Sequence, residues 1–221
     1  MDPLSDVFGL LQVKAVLSAR FEAGGDWAVH FAPQPQIKFG AALRGSCWLT
    51  LHGGEPCRLE AGDTYLMTNC PTYVLASDPS QPPVDGSALY ASAEGNAVHY
   101  IGNDTVLLAG SFLFDESNVA LLMDVLPALI HIPADNPASK VLRETLHLLD
   151  DELGAHRMGT SIVTSRLGDI LLIQALRAYV ASRAPAGWLG ALGDPKIGKA
   201  LRLMHADVRQ NWRVGELAAS D

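Results

Sequence analysis

The hydrophobic pattern of the 221-residue chain changes period once, near residue 114, and that change limits the fold more than any other feature. Upstream the pattern alternates. Ile37, Phe39, Ala41 and Leu43 interleave with Lys38, Gly40, Ala42 and Arg44, which predicts a half-buried strand. Gly45 marks a turn into a second strand, Ser46 to His52, with Cys47, Leu49 and Leu51 on one face and Trp48, Thr50 and His52 on the other. Gly53-Gly54 closes it in hairpin fashion. Further short strands are expected at Ala15 to Phe21, Trp27 to Phe31, Cys57 to Leu59, Thr64 to Thr68, Tyr73 to Leu75, His99 to Ile101 and Thr105 to Phe114. Strands this short and this regularly punctuated predict a sandwich or small barrel ending near Phe114. Residues 78–97, rich in Pro and polar side chains, read as a mobile excursion.

Downstream the spacing turns helical. Asn118 to Leu126 predicts a short helix stopped by Pro127. Ser139 is placed to cap a helix to about Leu153, with Val141, Leu142, Thr145, Leu146, Leu149 and Leu153 along one side. A second helix, about Thr160 to Ser182, completes an αα-hairpin. Its apolar residues cover more arc than one packing face needs. Leu167, Ile170 and Leu171, with Gln174 as a polar register marker, are therefore the expected homodimer contact, a deep core being the alternative. Ala184-Pro185-Ala186-Gly187 breaks that helix. Asp194-Pro195 then starts another, with Asp as N-cap and Pro at the first turn, and Trp212 and Val214 to Ala219 open a last one. The class is α+β: a barrel or sandwich over about 1–114, a helical part over about 115–184, a linker at 185–193 and an incomplete helical unit from 194 to 221.

Charge sharpens the division. The net charge is −8, yet residues 183–221 carry six basic side chains against four acidic ones, so the acidic excess lies in the body. Three cysteines, Cys47, Cys57 and Cys70, lack CxxC spacing and argue against a disulfide scaffold. No apolar run is long enough for a bilayer, and the first residues lack a signal peptide's basic region. A cytoplasmic protein without a membrane partner is expected.

Asp194 to Asp207, read as D-P-K-I-G-K-A-L-R-L-M-H-A-D, followed by Trp212 and Glu216-Leu217-Ala218, resembles the opening of an AraC/XylS-type DNA-binding domain. Asp2 to Val7, Gly45 to Leu49, Leu59 to Asp63, Leu75 to Pro79, Gln174 to Arg177 and Ala186 to Leu189 resemble the cupin-type sensor domain of one AraC subgroup. The resemblance implies a cupin-like barrel with a helical dimerisation hairpin. It also implies an effector of unknown identity and promoter DNA as the partner of the complete protein, with Trp212 and Arg213 on the DNA-proximal side. Arg213 stands where the family has a capping Ser or Thr, which removes a side-chain acceptor from that terminus. The family's recognition helix is absent from these 221 residues, so the chain as it stands is not expected to read base edges.

Cupin enzymes hold a metal with histidines and a carboxylate. In the motif resembling G-x5-P-x-G-x2-H that begins at Gly62, the corresponding positions are Thr68, Cys70 and Tyr73, so tyrosine replaces the histidine. Phe39 to Ala42, which resembles the other motif, carries none either. No metal, no cofactor and no catalytic residue are therefore expected. The rival is a cupin metalloenzyme of dioxygenase or isomerase type, and a pure dimerisation module is a third reading. His30, His52 and His99 lie on strands that a barrel brings near Cys47 or Cys57, although ordinary hydrogen-bonded histidines are the plainer expectation. His147 and Asp151, at i, i+4 with His156 beyond, read as a solvated edge. For an effector pocket the candidates are Trp27, Phe39, Trp48, Tyr65, Tyr73 and His99, a filled core being the alternative.

Overall fold

The computed structural model describes residues 14–34, 36–93, 97–113, 126–155, 157–182, 190, 194–207 and 209–218. The expected helix at 118–126, except for its last residue, the linker at 185–193, except for residue 190, and His156 lie outside them.

Eleven strands among the described residues form two sheets: β1 (Lys14–Ala23), β2 (Ala28–Phe31), β3 (Ile37–Arg44), β4 (Ser46–Leu51), β5 (Cys57–Glu60), β6 (Thr64–Met67), β7 (Tyr73–Ala76), β8 (Val84–Asp85), β9 (Ala97–Tyr100), β10 (Thr105–Leu113) and β11 (Leu129–Ile132). The six-stranded sheet runs β11-β6-β3-β10-β1-β9, and the five-stranded sheet runs β5-β4-β7-β2-β8. Edge strands remain at both ends of each sheet, so the architecture is an open sandwich rather than a closed barrel. Among the described residues five helices accompany the sheets: α1 (Gly86–Ala91), α2 (Ser139–Ala155), α3 (Thr160–Ser182), α4 (Pro195–Ala206) and α5 (Val214–Ala218).

The six-stranded sheet is covered on both faces, and the alternation along β3 shows how. Ile37, Phe39 and Ala41 join Leu66, Leu108 and Phe112 in a core with Leu142, Leu146 and Leu149 of α2 and Leu171, Leu172 and Leu176 of α3. Ala42 instead joins Phe21, Trp27, Leu49, Tyr65 and Tyr73 in the core between the sheets. The other face of the five-stranded sheet is more open, and Trp48 lies there with its ring 6.0 Å from the Arg58 guanidinium carbon.

Several expectations change. The described part of 78–97 is not a free loop. Val84–Asp85 pairs in parallel with β2, and Asp85 caps α1 by accepting from Ser87 N at 2.9 Å. Leu89 and Tyr90 then pack on the inter-sheet core, a pattern masked in the sequence by the preceding prolines. Strand β11, between Pro127 and Pro133, was not expected; it pairs antiparallel with β6. Ser139 is not an accepting cap, because its hydroxyl donates to Pro133 O at 2.6 Å while Asn136 Oδ1 takes Ala138 N. Asp194 does cap α4, accepting from Lys196 N and Ile197 N, both at 2.9 Å.

Arg20 ties the sandwich to the hairpin, bonding Glu22 at 2.7 Å and also Asp150 of α2. The Arg20 guanidinium holds the Glu22 carboxyl below its ordinary value of 4.5 against the opposing effect of burial, and His99 adds to the lowering. A depressed carboxylate contributes stability that is full above its unfolded pKa and is lost as pH falls through the folded one. Glu22→Gln should therefore cost about 1 kcal/mol near pH 7, because the pair is partly screened by solvent. It should also flatten the decline in urea midpoint below about pH 4.5. Parallel acid limbs in the two proteins would contradict this.

Candidate functional site

Gly40 and Tyr65 face each other in the β3–β6 register. A Cβ on Gly40 would lie 2.2 Å from the Tyr65 ring, so the absence of a side chain is what lets that ring lie across β3. Trp27, just before β2, is anchored by its backbone N–H to Ser77 Oγ at 2.9 Å and packs on Phe21 with ring centroids 5.3 Å apart. Tyr73 of β7 stacks on Phe31 at 4.7 Å. Tyr90 of α1 meets Phe31 edge-on at 5.8 Å and stacks with Phe21 at 6.5 Å. The result is an aromatic interior between the two sheets, with α1 packed against it.

Among the described residues one cation reaches this interior. Lys38 alternates to the inter-sheet side of β3, and its Nζ lies 5.6 Å from the Phe31 ring centre and 5.4 Å from that of Tyr73. Desolvation lowers its pKa, opposed by Cys70. Burial pushes the Tyr65 and Tyr73 phenols well above the usual range and Tyr90 up to about 12. These rings are thus neutral apolar surfaces with polar tips, which suits an uncharged or weakly polar ligand body.

Of the six expected pocket residues, the structure brings Trp27, Tyr65 and Tyr73 together and separates the other three. Phe39 faces the helices, 5.1 Å from Phe112, because β3 turns its bulky residues toward α2 and α3. Trp48 lies on the outer face of β4. His99 points outward from edge strand β9, its side chain 69% exposed, 3.1 Å from Glu22. Phe31, Lys38 and Tyr90 are the additions. The Lys38 alternation was legible in the sequence, but the partner rings were not.

The anticipated approach of His30, His52 or His99 to a cysteine is not the one observed. His131 of β11 is the histidine beside Cys57, with Nδ1 3.6 Å from Sγ. Its position, in a four-residue strand between prolines, hid it. Among the described residues, no group of three or more His, Cys, Asp or Glu side chains is placed to hold a metal ion.

On α3, Leu171 is buried in the helix–sheet core and does not face outward, which corrects its assignment to a dimer contact. Val163, Leu167, Ile170 and Gln174, spaced by four, three and four residues, form a seam along the border of the helix's open side, where Leu167 also packs on the edge of the core. Leu167 is half-buried, and Ile170 is 43% exposed. Near the end of the chain, Trp212 Nε1 donates to Asp207 O at 3.0 Å. Arg213 N donates to Glu216 Oε2 at 3.2 Å, so half of a capping box survives without the Ser or Thr hydroxyl.

A family model described as Cupin matches residues 2–181. An AraC-like transcription regulator of Streptomyces lividans is 40% identical over 222 residues, covering 99% of this chain and 73% of that protein. A second AraC-like regulator, from Streptomyces antibioticus, is 40% identical over 225 residues, covering 100% of this chain and 74% of that one. Among solved structures, the AraC-like transcriptional activator CuxR overlays with a TM-score of 0.41 at 8% identity, covering 87% of this chain and 61% of that one.

Proposed function

The chain belongs to the cupin-domain AraC-like transcription regulators, and from that premise we propose that residues 1–184 are its effector-sensing and dimerising part. The sandwich, about 1–114, receives a small molecule among Trp27, Tyr65, Tyr73, Phe31 and Lys38. The helical part, about 115–184, pairs two copies. Residues 185–193 link this unit to 194–221, which open the DNA-binding domain and carry Trp212 and Arg213 on its DNA-proximal side. The partners are promoter DNA and a second copy of the chain, the site of action is the cytoplasm, and the chain performs no catalysis. Tyr73 at the cupin histidine position supports that last point, since a buried neutral phenol stacked on Phe31 is a poor metal ligand.

The observation that carries the dimer reading is the α3 seam. Residues spaced by four, three and four keep close to the 3.6-residue turn of a straight helix, so they make a continuous ridge along it, which suits packing on a symmetry-related helix. Gln174 at its end offers a polar group that fixes register. For such a dimer to regulate, an effector must bind one arrangement better than another, because equal affinity shifts nothing.

Sedimentation velocity at tens of micromolar should show a dimer. Ile170→Asp should weaken it by about a hundredfold or more, because two uncompensated carboxylates meet across a two-fold axis, while the melting temperature of the fold stays close to that of the original. A monomeric original protein, or an Ile170→Asp dimer of unchanged affinity, would refute the seam.

A further inference from the structure

We propose that Cys57 is a covalent acceptor for soft electrophiles of the α,β-unsaturated carbonyl class, with His131 as its general base and Asp63 as the positioning residue that fixes the imidazole. This site lies at the seam where β5, an edge of the five-stranded sheet, faces β11, an edge of the other. The chemistry stands whether or not the chain regulates transcription.

Three contacts define the arrangement. Cys57 Sγ lies 3.6 Å from His131 Nδ1, and His131 Nε2 lies 2.9 Å from Asp63 Oδ2. Asp63 Oδ2 also accepts Glu60 N at 3.0 Å, and its Oδ1 accepts Ala134 N at 2.8 Å. Both carboxylate oxygens are thus acceptors for fixed N–H donors, so Nε2 carries the imidazole hydrogen and donates it to Asp63. The Nδ1 lone pair is left facing the sulfur. The competing acceptor for the thiol, Arg58 O, is farther away at 3.9 Å. Nucleophile, base and orienting carboxylate stand in the order that nucleophilic sites use.

Access and selectivity follow from burial. Cys57 is half-buried, whereas Cys47 and Cys70 are fully buried. His131 is also reached from a surface groove along β11, lined by Leu129, Pro133 and Tyr179. Burial pushes the Cys57 thiol up, and the charge of Asp63 adds to the rise. The resting sulfur is therefore a thiol that needs the base at the moment of attack, and the thiolate so formed is strongly nucleophilic because it is basic.

Addition to a conjugated carbonyl fits these groups. The thiol proton passes to Nδ1 while sulfur bonds to the β-carbon and the C=C pair moves toward the carbonyl. The imidazolium then returns the proton to the α-carbon. One S–C and one C–H bond replace the S–H and C=C π bonds; no group leaves and no oxidant is consumed. Peroxide chemistry is disfavoured here, since it draws on a thiolate already present at rest. An adduct also has a route to the helices: Asp63 holds Ala134 N, and Arg143 of α2 donates to Ala134 O.

The test is N-ethylmaleimide labelling of the intact chain near neutral pH, followed residue by residue by peptide mass spectrometry. Cys57 should react before Cys47 and Cys70, and His131→Ala should slow it by about tenfold or more, the low end of general-base effects. Exposure alone predicts the opposite, because removing the ring uncovers the sulfur. Added imidazole should restore part of the lost rate in His131→Ala, a rescue that a structural role does not give. His131→Gln, which keeps most of the volume, should be slow as well and serves if the alanine variant fails to fold. A Cys57 rate that is unchanged or faster in whichever variant folds, or the absence of rescue by imidazole, overturns the proposal.

Discussion

Leu171→Asp is expected to abolish the cooperative unfolding transition, whereas Ile170→Asp, one residue away, leaves it in place. Leu171 is 2% exposed and belongs to the core that joins Phe39, Leu108 and Phe112 of the six-stranded sheet to Leu142, Leu146 and Leu149 of α2. Removing a buried leucine side chain costs about 2–5 kcal/mol. A carboxylate put in its place has no cation among the core's members and adds the penalty of an unpaired buried charge. The total, about 5 kcal/mol or more, is comparable with the whole stability of an ordinary domain. Ile170 points to the open side of the same helix, so its aspartate is solvated in a monomer and harmful only across an interface. Urea titration followed by circular dichroism separates the cases. A Leu171→Asp protein with a normal transition would show that α3 does not dock on the sheet as described.

The contrast between these neighbours shows where the sequence stops informing. The length of α3 is written in its spacing, and both its ends fall where expected. Within the chain its wide apolar arc is covered by two neighbours, the six-stranded sheet and α2. Spacing alone does not say which residues meet the sheet, which meet α2 and which stay open, because the helix rotation is set by partners distant in sequence. The strands behave alike. Alternation placed β3 and β4 within a residue of their observed limits, but it assigns residues to two faces without naming the layer against each. Phe39 looked like a pocket residue for that reason, yet it meets α2 and α3 because the six-stranded sheet is covered twice. Trp48 shares β4 with core residues, but it alternates to the face opposite Leu49 and Leu51 and covers Arg58 on the outer side. The Cys57–His131–Asp63 cluster was the least legible, since it joins positions up to 74 residues apart through a strand flanked by prolines.

Gly40→Val is expected to destabilise the sandwich by about 3 kcal/mol, at the upper end of ordinary overpacking, and to do so through Tyr65. The glycine's φ does not require it, since only Gly25, Gly45, Gly53, Gly62, Gly102 and Gly159 have positive values among the described glycines. The requirement is space. Two ring carbons of Tyr65 and its hydroxyl oxygen lie within 2.6 Å of where a Cβ would stand, and Tyr65 is itself 2% exposed, with Met67, Leu107 and Trp27 in the same core. On the Gly40 side the ring already occupies the place of the new side chain, so either β3 separates from β6 or the phenol leaves its rotamer. Tyr65→Phe should not relieve the strain, because the ring carbons remain in contact. Tyr65→Leu should relieve it, because it removes the ring that crosses β3. In a double-mutant cycle read from urea midpoints, Gly40→Val combined with Tyr65→Leu should thus be less destabilised than the sum of the two single changes, by about 1 kcal/mol or more, as expected for residues in direct contact. Additivity within about 0.3 kcal/mol would place the cost of Gly40→Val elsewhere than at Tyr65. The same cycle bears on the proposed effector site: if Tyr65 is held flat across β3 by Gly40, Gly40→Ala should weaken binding of any ligand that stacks on that ring while leaving the distant α3 seam and its self-association untouched.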